Sequence, residues 1–225
     1  MSQSSLRKWK VLCWNVRGLN SEIRQNEVRA KIDESECAII CLQETKCESF
    51  DWKFIRKFCP KRFDCFAFSP SIGASGGLIV LWNSSVFYGQ LIEANRFAVS
   101  VNFTSVHNNA SWTMVSVYGP CHGVERDQFV SWLYNLQIPT MSNWLILGDF
   151  NFIRSPSNRN KPGGNAMDML TFNDFIREQN LIELPIKGRC FTWSNMQDSP
   201  LLEQLDWFFT SMHWTTVYPA TFVEP

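Results

Sequence analysis

Four polar positions stand just beyond the ends of short apolar runs in this 225-residue chain, and a fifth lies within one. Asn15 follows Leu12-Cys13-Trp14, and Gln43-Glu44-Thr45 follows Ile39 to Leu42. Tyr118-Gly119-Pro120 follows Val115 to Val117, Asp149-Phe150-Asn151 follows Leu145-Ile146-Leu147-Gly148, and Asp206 lies within the run from Gln204 to Phe209. A rigid sheet holds such strand-end side chains in position, which is where α/β folds place ligand sites. The chemistry on offer is carboxylate, carboxamide and phenol, with no Ser-His or Cys-His arrangement nearby. Oxygen donors of this kind suit Mg²⁺ or Mn²⁺ rather than zinc. Each motif alone has an ordinary explanation: Asp-x-Asn is a turn or cap, Tyr118 a strand tyrosine, Asp206 an ion-pair partner. Their joint order is what carries information.

The elements that must position these residues are legible from hydrophobic periodicity. Residues 10–16 alternate as a strand, and residues 21–35 carry Ile23, Val28 and Ile32 at helical spacing. Residues 37–42 form a continuous apolar run, the pattern of a strand covered on both faces. A short helix is expected over 50–58, followed by strands at 66–68, 77–82, 86–92, 97–103 and 112–117 between Gly- and Asn-containing turns. Helices over 124–136 and 168–179 flank a strand at 144–147, and strands at 191–193 and 204–209 follow. Residues 154–164 read as a polar loop rather than a linker, so one α/β domain over 1–225 is expected.

Composition is that of a globular chain, since 45% hydrophobic and 19% charged residues with zero net charge exclude disorder. Apolar runs are too short for a membrane helix, and the polar start Met1-Ser-Gln-Ser-Ser precedes no signal-peptide run. A soluble intracellular protein is expected, with nucleus and cytoplasm not distinguished. Charge is uneven: residues 1–62 hold 13 Lys/Arg against 8 Asp/Glu, and residues 63–225 hold 8 against 13. A basic first third suits a phosphate-rich partner, but solvated helix faces explain it equally well. The eight cysteines form no C-x-x-C pair, so most are expected to be reduced core thiols.

In order, Leu12-Cys-Trp-Asn-Val-Arg-Gly-Leu19, Cys41-Leu-Gln-Glu-Thr-Lys46, Val117-Tyr-Gly-Pro120, Leu147-Gly-Asp-Phe-Asn151 and Gln204-Leu-Asp206 resemble the motifs of the endonuclease/exonuclease/phosphatase superfamily. Trp14-Asn-Val-Arg-Gly-Leu-Asn20 and Phe191-Thr-Trp-Ser-Asn195 are most similar to the apurinic-type endonuclease domain of plant LINE-type retrotransposon polyproteins. The resemblance implies a four-layered α/β sandwich, two packed mixed β-sheets flanked by helices, with the last strand missing. It also implies hydrolysis of DNA phosphodiester bonds with Mg²⁺ or Mn²⁺. On this resemblance Glu44 is the main metal ligand, with Asn15 hydrogen-bonding in the same site. Asp149 orients and deprotonates the attacking water, Asn151 presents its amide, Tyr118 donates to the phosphate, and Asp206 orients a histidine.

Two departures from the family pattern shape the expectation. Arg17 stands where many members carry an acid, a change that LINE-type members share. The terminal Ser-Asp-His motif has no counterpart, because the chain ends at Thr221-Phe-Val-Glu-Pro225 and none of His107, His122 and His213 lies in a matching context. An endonuclease domain slowed by that loss is the leading reading. The alternatives are a catalytically inactive remnant that at most binds nucleic acid, and a phosphatase of the same superfamily. For Trp193, core packing is favoured over base stacking, since the chain has 10 Trp.

Overall fold

A computed structural model describes residues 9–73, 75–121 and 123–225. The N-terminal segment read above for targeting, and His122, lie outside the described residues. Among the described residues, twelve strands and five α-helices follow in the order β1 (Val11–Asn15), α1 (Glu22–Ser35), β2 (Ile39–Gln43), α2 (Trp52–Phe58), β3 (Cys65–Ile72), β4 (Ser75–Trp82), β5 (Phe87–Asn95), β6 (Ala98–Ser105), β7 (Ser111–Tyr118), α3 (Glu125–Asn135), β8 (Trp144–Asp149), α4 (Ala166–Glu178), β9 (Ile182–Glu183), β10 (Trp193–Ser194), β11 (Leu202–Glu203), β12 (Asp206–Thr210) and α5 (Met212–Val217).

The strands form a four-stranded sheet, β1-β2-β4-β3, and a six-stranded sheet, β5-β6-β7-β8-β12-β9. A two-stranded ribbon, β10-β11, stands apart from both. Each large sheet contains one parallel pair joined through a helix: β1-α1-β2 in the first and β7-α3-β8 in the second. The other neighbours are antiparallel. Asn15 and Gln43 therefore end side by side in one sheet, and Tyr118 and Asp149 end side by side in the other.

Three cores give four layers. Between the sheets, Ile39, Cys41, Leu78 and Val80 meet Val99, Val101, Met114, Leu145 and Leu147. On the outer face of the first sheet, Ile40, Leu42, Ile79 and Leu81 pack with Val28 and Ile32 of α1 and Ile55 and Phe58 of α2. On the outer face of the second, Val115, Val117, Ile146 and Phe209 pack with Phe129 and Leu133 of α3 and Phe172, Phe175 and Ile176 of α4. The apolar run of β2 thus serves two cores: Ile39 and Cys41 face the other sheet, Ile40 and Leu42 face the helices, as strand alternation requires. The two mixed sheets flanked by helices are the expected α/β sandwich.

Helix starts follow local capping chemistry. The Ser21 hydroxyl accepts from the Arg24 N–H, Asp51 accepts from Phe54, and Asn165 accepts from Met167 and Asp168. Two local readings change. The strand expected at 191–193 is only Trp193–Ser194 and joins the ribbon, and α5 is an element that periodicity did not suggest. All eight cysteines are free thiols, four of them buried. Among the described residues no helix is long and apolar enough to cross a membrane.

Candidate active site

The strand ends bring Asn15, Glu44, Tyr118, Asp149 and Asp206 to one end of the sandwich. The amide of Asn15 donates to Asp149 Oδ2 at 2.7 Å, a bond that spans 134 residues of chain and ties one sheet to the other. Asn15 Oδ1 accepts from the Arg17 N–H at 3.1 Å. Within the second sheet Asp149 lies in register with Tyr118 on one side and with Asp206 on the other. Glu44, one residue past β2, pairs with Lys46 Nζ at 3.2 Å.

Asn151 lies two residues beyond Asp149. Its N–H donates to Asp149 Oδ1 at 3.0 Å, and its side-chain amide donates to the Gly119 carbonyl at 2.7 Å. The Gly119 N–H in turn donates to the Asp149 carbonyl at 2.7 Å. These reciprocal bonds zip the loop after β7 to the loop after β8. The approach is so close that a Cβ on Gly119 would meet the Phe150 carbonyl. One amide hydrogen of Asn151 is therefore engaged inside the protein.

The backbone is held in unusual conformations here. Arg17, Glu44, Lys46 and Asn151 all adopt the left-handed region, with φ of 52°, 53°, 55° and 54°. Non-glycine residues there cost of order 1–3 kcal/mol each and persist only where surrounding contacts impose them. The restraints are visible: Leu19 N–H donates to the Thr45 carbonyl, and Thr45 and Lys46 N–H donate to the Gly77 and Gly76 carbonyls.

Electrostatics follow from burying acids together. Asp149 is 5% exposed. Burial is the main cause that lifts its carboxyl well above the usual carboxylate range; the Asp206 charge adds to this, and the bonds from Asn15 and Asn151 oppose it. Asp206 is raised by burial as well, against the Thr192 hydroxyl and the Arg189 and Arg17 charges. Burial, then Glu44, Cys121 and Asp149, push the Tyr118 phenol upward, so its hydroxyl stays protonated and able to donate. Glu44, Tyr118, Cys121 and Asp149 thus feel one another's field. A buried acid with raised proton affinity, in the field of a phenol that stays protonated, is able to exchange a proton with a neighbouring group.

The donor set also fits a hard divalent cation. Among the described residues no three His, Cys, Asp or Glu side chains form a closed metal cage. Mg²⁺ needs none, because it keeps several waters and is held through one or two carboxylates plus substrate phosphate. Glu44 supplies such a carboxylate, Asn15 Oδ1 accepts one hydrogen bond and keeps a second lone pair, and a cation nearby would favour the ionised forms of Asp149 and Asp206.

Beside Asp206 opens a groove of about 450 Å³, lined by Arg17, Arg189, Phe191, Trp193 and Met196 among others. Its two guanidiniums are those that oppose the rise of Asp206. Trp193 divides its ring between this groove and a small core of Ile153, Met169 and Leu205. The Thr192 hydroxyl accepts from the Leu205 and Asp206 N–H groups. His213 is not in the site: its Nδ1 bonds Asn143 Oδ1 at 2.9 Å near the start of β8. Arg189, Thr192 and Arg126 escaped sequence reasoning, since a lone Arg or Thr carries no signal until folding shows what it faces.

Residues 12–225 match the Endonuclease/Exonuclease/phosphatase family, and the chain belongs to that family. Its fold is similar to the AP endonuclease LMAP from Leishmania major, with 15% identity, a TM-score of 0.72 and coverage of 92% of this chain and 80% of that one. It is similar to the endonuclease domain of TRAS1, a telomere-specific non-LTR retrotransposon, with 12% identity, a TM-score of 0.67 and coverage of 91% and 86%. It is also similar to the Xenopus laevis APE2 catalytic domain, with 17% identity, a TM-score of 0.64 and coverage of 90% and 82%. No curated protein sequence matches.

Proposed function

We propose that this chain is a divalent-metal-dependent phosphodiesterase that nicks DNA, of the kind found in LINE-type retrotransposon endonuclease domains. The observation that carries the reading is the Asn15–Asp149 bond of 2.7 Å, which joins the two sheets at the point where Glu44, Tyr118 and Asp206 also end. DNA is favoured over a small phosphoester because a groove with two guanidiniums and aromatic walls adjoins the site through Arg17, which bonds Asn15, and Thr192, which bonds Asp206. Arginine and aromatic faces together suit a nucleic-acid strand continuing past the scissile phosphate. The AP endonuclease and the TRAS1 domain, similar in fold, support the same substrate class.

Glu44 and Asn15 would hold Mg²⁺ or Mn²⁺, which when bound polarises a phosphate oxygen and offsets charge growing in the transition state. Asp149 accepts the proton of a water whose oxygen attacks phosphorus, and the leaving sugar oxygen departs opposite. Its raised affinity for a proton suits that task near neutral pH. Tyr118 donates its hydroxyl to a phosphate oxygen, and Asn151 holds the Asp149 carboxylate through its N–H. Asp206 acts on Asp149: lying in register beside it, the second charge raises the base.

The test is nicking of supercoiled plasmid by the full chain. Nicking with Mg²⁺ or Mn²⁺ that EDTA abolishes, and that Glu44→Gln and Asp149→Asn each reduce at least about 10²-fold, supports the reading. Retardation of DNA without nicking would make the chain a binding remnant. Phosphate release from small esters with no nicking would make it a phosphatase. Either outcome overturns the proposal.

A further inference from the structure

Arg126, in the first turn of α3, makes an unusual set of contacts for a surface-helix residue. Its Nη1 donates to three backbone carbonyls: Pro120 at 3.1 Å, Cys121 at 3.0 Å and Asn151 at 3.1 Å. Its Nη2 donates to Asp168 Oδ2 of α4 at 2.8 Å. The guanidinium carbon stands 3.9 Å from the centre of the Phe152 ring, which is itself buried. The side chain is 19% exposed.

These partners belong to the two loops that carry the chemistry. Pro120 and Cys121 follow Tyr118, and Asn151 and Phe152 follow Asp149. On one side the loops are zipped by the Gly119–Asp149 and Asn151–Gly119 bonds. Arg126 grips both through separate carbonyls. One of these belongs to Asn151, which adopts the left-handed region at a φ of 54°. Only a planar, forked cation can bond two loops, pair with a carboxylate and stack on a ring at once; a lysine ammonium is a point charge on a flexible stem.

We propose that Arg126 is a positioning residue: it fixes the distance between the Tyr118 hydroxyl and the Asp149 carboxylate by clamping their two loops together, without touching substrate. The inference rests on the reading of this site as phosphodiester-hydrolysing. Displacement of reacting groups by about 1 Å costs on the order of 10²-fold in turnover. Loss of the clamp therefore acts on kcat, whereas KM, set by the groove, stays nearly constant.

The experiment uses the full chain as Arg126→Ala and Arg126→Lys, with Asp168→Asn as a comparison that keeps the three carbonyl bonds. Plasmid nicking is measured with and without millimolar guanidinium, and amide hydrogen exchange is followed at Gly119 and Asn151. The expected result for Arg126→Ala is a kcat lowered on the order of 10²-fold, with KM little changed and part of kcat restored by guanidinium. A merely destabilised fold would not be rescued by a denaturing cation. Arg126→Lys is expected to fold, to keep KM and to recover only a minor part of kcat, and it decides the matter if the alanine variant fails to fold. Asp168→Asn is expected to retain most of kcat. Unchanged kcat in both Arg126 variants, or a rise in KM alone, overturns the proposal. If the unaltered chain nicks nothing, the functional reading fails, and exchange then decides this one separately. The Gly119 and Asn151 amides must exchange on the order of tenfold faster in Arg126→Lys, while those of β6 do not. Equal protection in the variant and the unaltered chain overturns it.

Discussion

Replacing Asn15 with alanine isolates the bond that joins the two sheets at the site. The lost partner is a 2.7 Å donor to a carboxylate that is 5% exposed, and the Asn151 N–H remains as its other donor. A hydrogen bond to a charged group is worth about 1.5–3 kcal/mol, and one between neutral groups about 1 kcal/mol. The difference between the two, about 0.5–2 kcal/mol, at 1.36 kcal/mol per pKa unit lifts Asp149 further by roughly half a unit to one and a half units. The sign follows from which form Asn15 favours. Its donor stabilises the ionised carboxylate, so the full cost is felt at pH above the already raised pKa and shrinks toward about 1 kcal/mol as acid protonates Asp149. Urea unfolding in EDTA across that pH range reads both limits, and NMR titration of the Asp149 carboxyl reads the shift directly. A penalty that is equal at acidic and mildly alkaline pH, or smaller than about 0.5 kcal/mol throughout, would refute the claim that this bond holds a buried charge.

Three other outcomes are expected. Because Asp149 and Asp206 are both raised in the fold, the native state binds more protons than the unfolded chain between the usual carboxylate range and the raised values; metal-free stability should therefore fall as pH rises through that window, and Mg²⁺ should restore it, with rising stability in EDTA counting against the site's electrostatics. Gly148→Ala should destabilise by roughly 3 kcal/mol or more, since φ is +138° and the new Cβ would meet the Val117 carbonyl across β7 and β8; a urea-unfolding loss under about 1 kcal/mol would contradict that packing. Trp207→Phe should cost about 1–3 kcal/mol, because the buried indole N–H donates to the Phe152 carbonyl at 2.8 Å and phenylalanine leaves that carbonyl unpaired; unchanged thermal stability would show the bond to be dispensable.

Sequence and tertiary structure divide the explanation along a physical line. Patterns with several repeats inside one element were readable. The apolar run at 37–42 announced a strand with two covered faces, and Val28 and Ile32 announced a half-buried helix, although Ile23, read on the same stripe, is exposed because it lies off the face that packs on the sheet. The polar residues after apolar runs were readable too, but their gathering at one edge needs the sheet topology, since Asp206 opens β12 antiparallel to β8, which Asp149 closes. Elements too short to show a period were not: β9 and β11 have two residues each and exist through partners elsewhere in the chain, and β10, read as 191–193, is only Trp193–Ser194. The six-residue α5 is hidden for the same reason. The roles of Arg126, Arg189 and Thr192 and the contact of Asn15 with Asp149 across 134 residues were beyond any local pattern. Sequence by itself determined which chemical groups this protein has and that they stand at strand ends. Only the tertiary structure decided how near they come, how deeply they are buried and hence how tightly Asp149 holds its proton, because Coulomb and desolvation energies depend on distance and dielectric through space, not along the chain.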